Sequence, residues 1–360
     1  MWTRQIKALL VAVLVLSAPV LAAANDAACQ EAIDYSASEK GLAVYVLKNG
    51  ELICEGYSNG GSSDRGNQLW SGTKSFNGII AAAAVQDGLL NLDELVSKTL
   101  PEWNNDPQKA TITIRHLLSL TSGLERGRTG RPANYSISAA SSVIEPPGTK
   151  FIYSPTPFQV FGAVMKKKLS NSGRSPDVLE YLQKRVLDPI GIKPTGWKLT
   201  NEGDPLMPHG SEFTAKDWAK FGEFIRAGGV INGKNIVDPQ AFAELFRGSR
   251  ANPGYGLSWW LVSLSGATDR LSESVDIGEH EAELPKDMVF AAGAGNQRLY
   301  IVPSQGLTIV RMAKLGLAGG AARSKQGGGI LARIKAKRSS TTIGDSGWSD
   351  FRFVSYFVNQ

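Results

Sequence analysis

Gly41 to Lys48 (GLAVYVLK) and Glu51 to Tyr57 (ELICEGY) are β-rich runs separated only by Asn49 and Gly50. An Asn-Gly pair between two such runs predicts a tight hairpin. Near the other end, Met288 to Ala292, Arg298 to Val302 and Leu307 to Met312 predict three more short strands, the last two joined through Pro303, Ser304, Gln305 and Gly306. Between these ends the period changes. Phe76, Ile79, Ile80 and Ala83 recur at helical spacing and predict an amphipathic helix that closes at Gly88. Leu179 to Leu187 and Thr214 to Ala227 also carry helical spacing, and Trp348 to Val358 predicts a last helix capped by Ser346 or Ser349. The fold class expected is α+β. One antiparallel sheet, flanked by helices, forms from the two chain ends (about residues 25–72 and 286–360), with a mostly helical subdomain, about residues 73–285, inserted between them.

The first residues follow a different pattern. Arg4 and Lys7 precede an apolar run from Ala8 to Leu16, then Pro19 and the small residues Ala22, Ala23 and Ala24. This predicts a secretory signal peptide over residues 1–24 and a mature domain over 25–360. The run is shorter than the roughly 20 apolar residues a membrane span needs. The expectation is an exported protein, periplasmic or secreted, with no integral membrane span. In that oxidising setting the two cysteines, Cys29 and Cys54, permit one disulfide, although two buried thiols fit the sequence equally well.

Composition matters mainly through charge. With 20% charged and 42% hydrophobic residues the 360-residue chain is neither disordered nor fibrous in character. Its net charge of +6 suggests an anionic partner until it is divided along the chain. The leader holds +2. A basic insertion over residues 314–338 holds +7, through Lys314, Arg323, Lys325, Arg333, Lys335, Lys337 and Arg338, and the remainder is −3. Nucleic acid is therefore not the expected partner, and any anionic-surface contact is assigned to those seven cations.

Ser71-Gly72-Thr73-Lys74 is an S-x-x-K match, with Trp70 beside it, at the start of the Phe76 helix. Residues three apart on a helix share a face, so the Ser71 hydroxyl and the Lys74 amine can meet. Serine needs a base to become a nucleophile, and lysine at its ordinary pKa cannot serve as one. Bringing its pKa near 7 costs about 4 kcal/mol, which burial of the ammonium can supply. The alternative on these residues alone is a helix cap followed by a solvated lysine.

Further segments remove that ambiguity. Leu69 to Lys74, Ile112 to Leu124, Gly148 to Gly162, Leu187 to Trp197, Thr214 to Gly222, Gly254 to Trp260 and Gly295 to Pro303 stand in order along the chain. Through them the chain resembles the serine β-lactamase, penicillin-binding protein and esterase superfamily, most closely its β-lactamase-related serine hydrolase branch. The resemblance implies a β-lactamase/transpeptidase-like fold and no cofactor. It implies that Ser71 is acylated, that Lys74 takes its proton, and that Tyr153 is a second acid/base. A phenol held near an ammonium has its pKa lowered, which suits it to carry protons. The resemblance also points to backbone N–H groups of Gly295, Asn296 and Gln297 as oxyanion donors beside that of Ser71.

Two departures narrow the substrate. Tyr153-Ser154-Pro155 stands where β-lactamases of this type carry Tyr-x-Asn, and Gly293 to Asn296 (GAGN) where they carry Lys-Thr-Gly. The amide and the cation that would hold a penicillin are both missing. The expected activity is hydrolysis of small carboxylic esters or amides, the alternatives being a D-amino-acid peptidase or short-oligomer amidase and a catalytically silent binder of cell-wall peptides or acyl ligands. His116, His209 and His280 lie far apart and show no zinc spacing. His116 reads as structural, near the Thr121-Ser122-Gly123 turn. No G-x-S-x-G elbow surrounds Ser71, which disfavours a Ser-His-Asp triad.

Overall fold

The computed structural model describes residues 26–128, 132–263, 275–315 and 347–358. The expected signal peptide, Ser346 and the cations from Arg323 to Arg338 lie outside the described residues; Lys314 lies within them, its N–H bonded to the Lys40 carbonyl at 3.0 Å.

A first helix, α1 (26–38), leads into the hairpin β1 (Gly41–Lys48) and β2 (Glu51–Tyr57). Its turn holds Asn49 and Gly50 at φ 52° and 84°, the left-handed geometry that makes an Asn-Gly pair the favoured connector. The main sheet continues with β3 (Trp260–Leu261), β4 (Val289–Gly293), β5 (Gln297–Val302) and β6 (Leu307–Ala313). Its order is β2-β1-β6-β5-β4-β3, with every pairing antiparallel, so the chain ends build five of the six strands as the hydropathy pattern predicts, while β3 comes from the region expected to be the helical insertion. The edge strand β3 and a small sheet of Asn67–Gln68, Gly196–Trp197 and Ser211–Phe213 are too short to show a period in sequence.

Helix α2 (Ser75–Gln86) differs from the amphipathic expectation. Every residue from Ser75 to Ala84 is buried, because small alanines fill the faces that Phe76, Ile79 and Ile80 leave open. A helix apolar all round belongs inside the protein. Helix α3 (Thr156–Asn171) lies beyond it in the chain, and the predicted helix at 179–187 divides into an α turn, Val178–Leu182, and a π turn, Gln183–Leu187. Helix α4 (Ala215–Arg226) starts from a Thr214 cap and packs on the sheet. Gly222 permits this, since a Cβ there would come within 2.6 Å of both Leu299 and Thr308.

The other sheet face is covered by α1 and the last helix, α5 (Asp350–Ser355), capped by Ser349. Arg298, Tyr300 and Arg311 point into this layer and are buried. Arg298 pairs with Asp350 at 2.5 and 3.1 Å, Tyr300 donates its hydroxyl to the same carboxylate, and the Arg311 guanidinium lies 3.8 Å from the Trp348 ring centre. Cys29 and Cys54 form a disulfide, with Cα atoms 5.4 Å apart, joining α1 to β2. Among the described residues no helix is long and apolar enough to cross a membrane.

Candidate active site

Ser71 lies in a 3₁₀ turn, Trp70–Lys74, immediately before α2. In that tighter geometry residues i and i+3 eclipse, which brings Ser71 and Lys74 together more directly than an α-helical turn would. The turn is entered through Trp70, whose φ of +51° is a sparsely populated conformation for a large side chain.

Lys74 Nζ lies 3.0 Å from Ser71 Oγ and donates to the Pro208 carbonyl, also at 3.0 Å. Its side chain is 5% exposed, and no carboxylate pairs with it among the described residues. Burial alone pushes its pKa down from 10.5 to about 7. The ring centres of Tyr153 and Phe158 lie 4.8 and 5.7 Å from the amine, so its remaining surroundings are aromatic. Hydrogen bonds fix the neighbouring chain. Asn77 Nδ2 donates to the carbonyls of Lys74 and Met207, each at 3.0 Å, and the hydroxyls of Thr73 and Ser211 meet at 2.8 Å. The 207–211 segment is thereby held to the nucleophile's turn.

Tyr153 occupies the loop before α3. Its ring stacks on Trp260 at 5.7 Å and meets Tyr255 edge-on at 6.4 Å, so an aromatic wall built partly from β3 supports it. Ser154, at the motif's unrestricted middle position, is buried and accepts from the Thr156 N–H at 3.3 Å.

On the opposite side, β4 runs against the Ser71 turn. A Cβ on Gly293 would come within 2.0 Å of the Leu69 carbonyl oxygen, so only glycine fits at this crossing. Gly295 and Asn296 form the turn after it, with φ of 74° and 60°. Asn296 gives its carbonyl to Arg311 at 2.9 Å, and the Gln297 side-chain amide bonds Ala313 at 2.6 and 3.0 Å. The side chain of Gln297 therefore secures the β5–β6 pairing. β4 meets the segment entering the nucleophile's turn at Gly293, so the Ala294 amide that follows joins Gly295 to Gln297 as a candidate donor.

Sequence reasoning misses two neighbours of the lysine. A carbonyl such as that of Pro208 leaves no side-chain signal. His209 appears in the sequence as an isolated histidine, yet it is 8% exposed and its ring stacks on Trp70 at 6.3 Å. Burial first, then the charges of Lys74 and Lys198, push its pKa down to about 4. Lys198 Nζ lies 5.4 Å from the Trp70 ring centre. His116 has the structural place expected of it, closing a capping box with Thr113 at the start of the short helix Ile114–Leu118. Among the described residues no cluster of His, Cys, Asp and Glu could hold a metal.

A buried amine beside a hydroxyl, facing a phenol and an aromatic wall, can run acyl transfer without a histidine base. Known proteins are similar to this chain in sequence and fold. A family model described as Beta-lactamase matches residues 27–325. Protein flp of Staphylococcus aureus (strain MW2) is 28% identical over 181 residues, covering 45% of this chain and 35% of its own length. The chain thus matches about a third of that relative. Among solved structures, a putative 6-aminohexanoate-dimer hydrolase from Bacillus anthracis superposes with a TM-score of 0.62 at 17% identity, over 85% of this chain and 82% of its own. EstCE1, described as a hydrolase with promiscuous acyltransferase activity, gives 0.61 at 19% identity, over 84% of this chain and 97% of its own. At these identities the two structures share the fold.

Proposed function

From the premise that this chain belongs to the beta-lactamase family of serine hydrolases, we propose that it is an exported hydrolase that forms an acyl-enzyme on Ser71 and acts on carboxylic esters or amides rather than β-lactams. The observation that carries the reading is Lys74, a buried amine with a pKa near 7, 3.0 Å from the Ser71 hydroxyl. Its neutral form accepts the Ser71 proton as Oγ bonds to the substrate carbonyl carbon. The carbonyl oxygen takes the negative charge between the N–H groups of Ser71 and the turn after Gly293, in the family's oxyanion manner. When the tetrahedral intermediate collapses, the leaving group departs with a proton returned from the Lys74 ammonium through Tyr153. Water then attacks the acyl-enzyme, giving up a proton to the same pair, and Ser71 is regenerated with release of the acid.

Three observations support the finer points. The β4 crossing carries Gly293 and no cation, and Pro155 stands where the motif's amide would be, so a penicillin's carboxylate and amide lack their usual partners. EstCE1, which shares the fold, is a hydrolase with promiscuous acyltransferase activity. The Cys29–Cys54 disulfide suits an oxidising compartment, in keeping with export. The test is labelling by a fluorophosphonate probe and turnover of p-nitrophenyl acetate, in wild type and Ser71→Ala. Both are expected to disappear in the variant, and equal labelling and turnover would refute the assignment. Slow turnover of a chromogenic cephalosporin is expected; turnover as fast as that of the ester would overturn the substrate choice.

A further inference from the structure

The strand that crosses the nucleophile's turn brings no positive charge, but a cation stands on the opposite rim. Lys198 is exposed, next to the short strand Gly196–Trp197, and its ammonium lies 5.4 Å from the Trp70 ring centre. It donates to the neutral amide oxygen of Gln68 at 2.6 Å and enters no ion pair among the described residues. Trp70 directly precedes Ser71, so this is a cation about one side chain away from the proposed reacting centre. His209, 8% exposed, stacks on the same indole at 6.3 Å, with no protein hydrogen bond to either ring nitrogen among the described residues. Its ring nitrogens are not among the sealed, unpartnered polar atoms of the described residues, so a group from outside the chain can reach them. The two features meet at the Trp70 ring, which both the ammonium and the imidazole approach.

We propose that Lys198, His209 and the Trp70 ring form an anion subsite that holds a carboxylate of the substrate, replacing from the rim the cation that the β4 strand lacks. The inference rests on the acyl-enzyme reading and adds to it a substrate class: esters or amides that carry a free carboxylate near the reacting carbonyl. The ammonium supplies charge and the imidazole N–H a directed hydrogen bond. The indole supplies a flat apolar surface against which the carbon skeleton next to the carboxylate packs. The Gln68 amide holds the lysine over the cleft without neutralising it, as an acidic partner would.

The test uses the full chain and two matched ester pairs. One pair puts the charge on the acyl side, p-nitrophenyl butyrate against the mono-p-nitrophenyl ester of glutaric acid. The other puts it on the leaving side, phenyl acetate against para-acetoxybenzoate. The readout is the ratio of kcat/KM for the charged to the neutral ester, in wild type, Lys198→Gln and Lys198→Glu, at low and high ionic strength. In at least one pair the ratio is expected to fall about threefold in Lys198→Gln and about tenfold in Lys198→Glu, as removing and then reversing a partly screened charge requires. The loss is expected to shrink at high salt, which a purely structural role of the side chain would not produce. Which pair responds tells which side of the scissile bond carries the anion. Ratios that stay the same in both pairs, or that change independently of salt, overturn the inference. Ser71→Ala keeps the two readings apart. If it abolishes turnover while the ratios ignore Lys198, only the anion subsite is wrong; if it leaves turnover intact, the acyl-enzyme reading itself has failed.

Discussion

Replacing Lys74 by methionine removes a group whose charged form the interior penalises, while roughly keeping its volume. The pKa falls from 10.5 in water to about 7 through burial alone. At about 1.4 kcal/mol per tenfold change in protonation equilibrium, holding the ammonium in the folded state costs about 5 kcal/mol. The sign follows from proton binding. Between pH 7 and 10.5 the unfolded chain holds a proton on Lys74 and the folded chain does not, so this residue makes stability rise with pH across that window. Below about pH 7 both states are protonated and the full penalty applies. The variant also loses the hydrogen bonds to Ser71 and Pro208, each worth about 1 kcal/mol net. Lys74→Met is therefore expected to be about 3 kcal/mol more stable than wild type at about pH 6. The gain should decline through pH 8 and 9 and become a small deficit near pH 10.5.

Urea unfolding of the two proteins at a series of pH values above 6 measures this difference directly, because titrating groups that do not interact with Lys74 cancel and His209, the neighbour that does, titrates near 4. The same samples report activity. Wild-type kcat/KM should rise tenfold per pH unit up to about pH 7 and then level off, whereas the variant should remain lower by about 10²–10⁴-fold without that inflection. Stability curves that stay parallel from pH 6 to 10 would show that Lys74 is not held neutral by burial, and the proposed base would be lost with it.

Two other substitutions test what surrounds the pair. Gly293→Ala places a Cβ 2.0 Å from the Leu69 carbonyl oxygen, so the strand or the Ser71 turn must move. Fluorophosphonate labelling should slow about 10²-fold while far-ultraviolet circular dichroism stays native, and an unchanged labelling rate would refute the crossing. Asp350→Ala leaves the Arg298 guanidinium buried without its carboxylate, for an expected loss of about 3–5 kcal/mol in urea unfolding. Adding Arg298→Met should recover most of it; a double variant as unstable as the single one would refute the pairing.

Much of the fold follows from local signals. Asn49 and Gly50 have the conformation that such a pair demands, and the three later strands begin and end within about one residue of their β-rich runs. The signals fail where the cause is remote. Alternation along β5 and β6 would turn Arg298 and Arg311 toward solvent, yet both lie beneath α1 and α5. Arg298 is neutralised by a carboxylate about 50 residues later, and nothing near it in sequence reports that partner. Along α2, four apolar positions match one helical face, but the absence of any charged residue from Ser75 to Gln86 is the stronger signal and points to a helix buried on every side. At the site, Ser71 and Lys74 are legible from spacing, and Tyr153 from its surrounding motif. Pro208 and His209 are not, because a carbonyl and a stacked ring acquire meaning only when the 207–211 segment is laid against the nucleophile's turn.

The same geometry links the position of the substrate's charge to the strength of the base. Lys74 is lowered by burial and by no neighbouring cation, so its neutral form depends on keeping both water and anions away from the amine. A substrate carboxylate about 4 Å from Nζ would favour the ammonium by about 4 kcal/mol at an effective dielectric constant near 20, enough to undo most of the effect of burial. An anchor on the strand beside Ser71 would bring the anion toward that distance. Lys198 instead stands over the Trp70 ring, where its charge acts on His209 and takes no part in lowering Lys74. A carboxylate paired with Lys198 is anchored at a cation that does not act on Lys74, so the substrate can be held by charge while the lysine stays a base. The two halves of the proposal thus constrain each other. An anionic ester that binds at Lys198 should leave the wild-type pH inflection near 7, whereas one that raises it toward 10 would place its carboxylate beside Lys74.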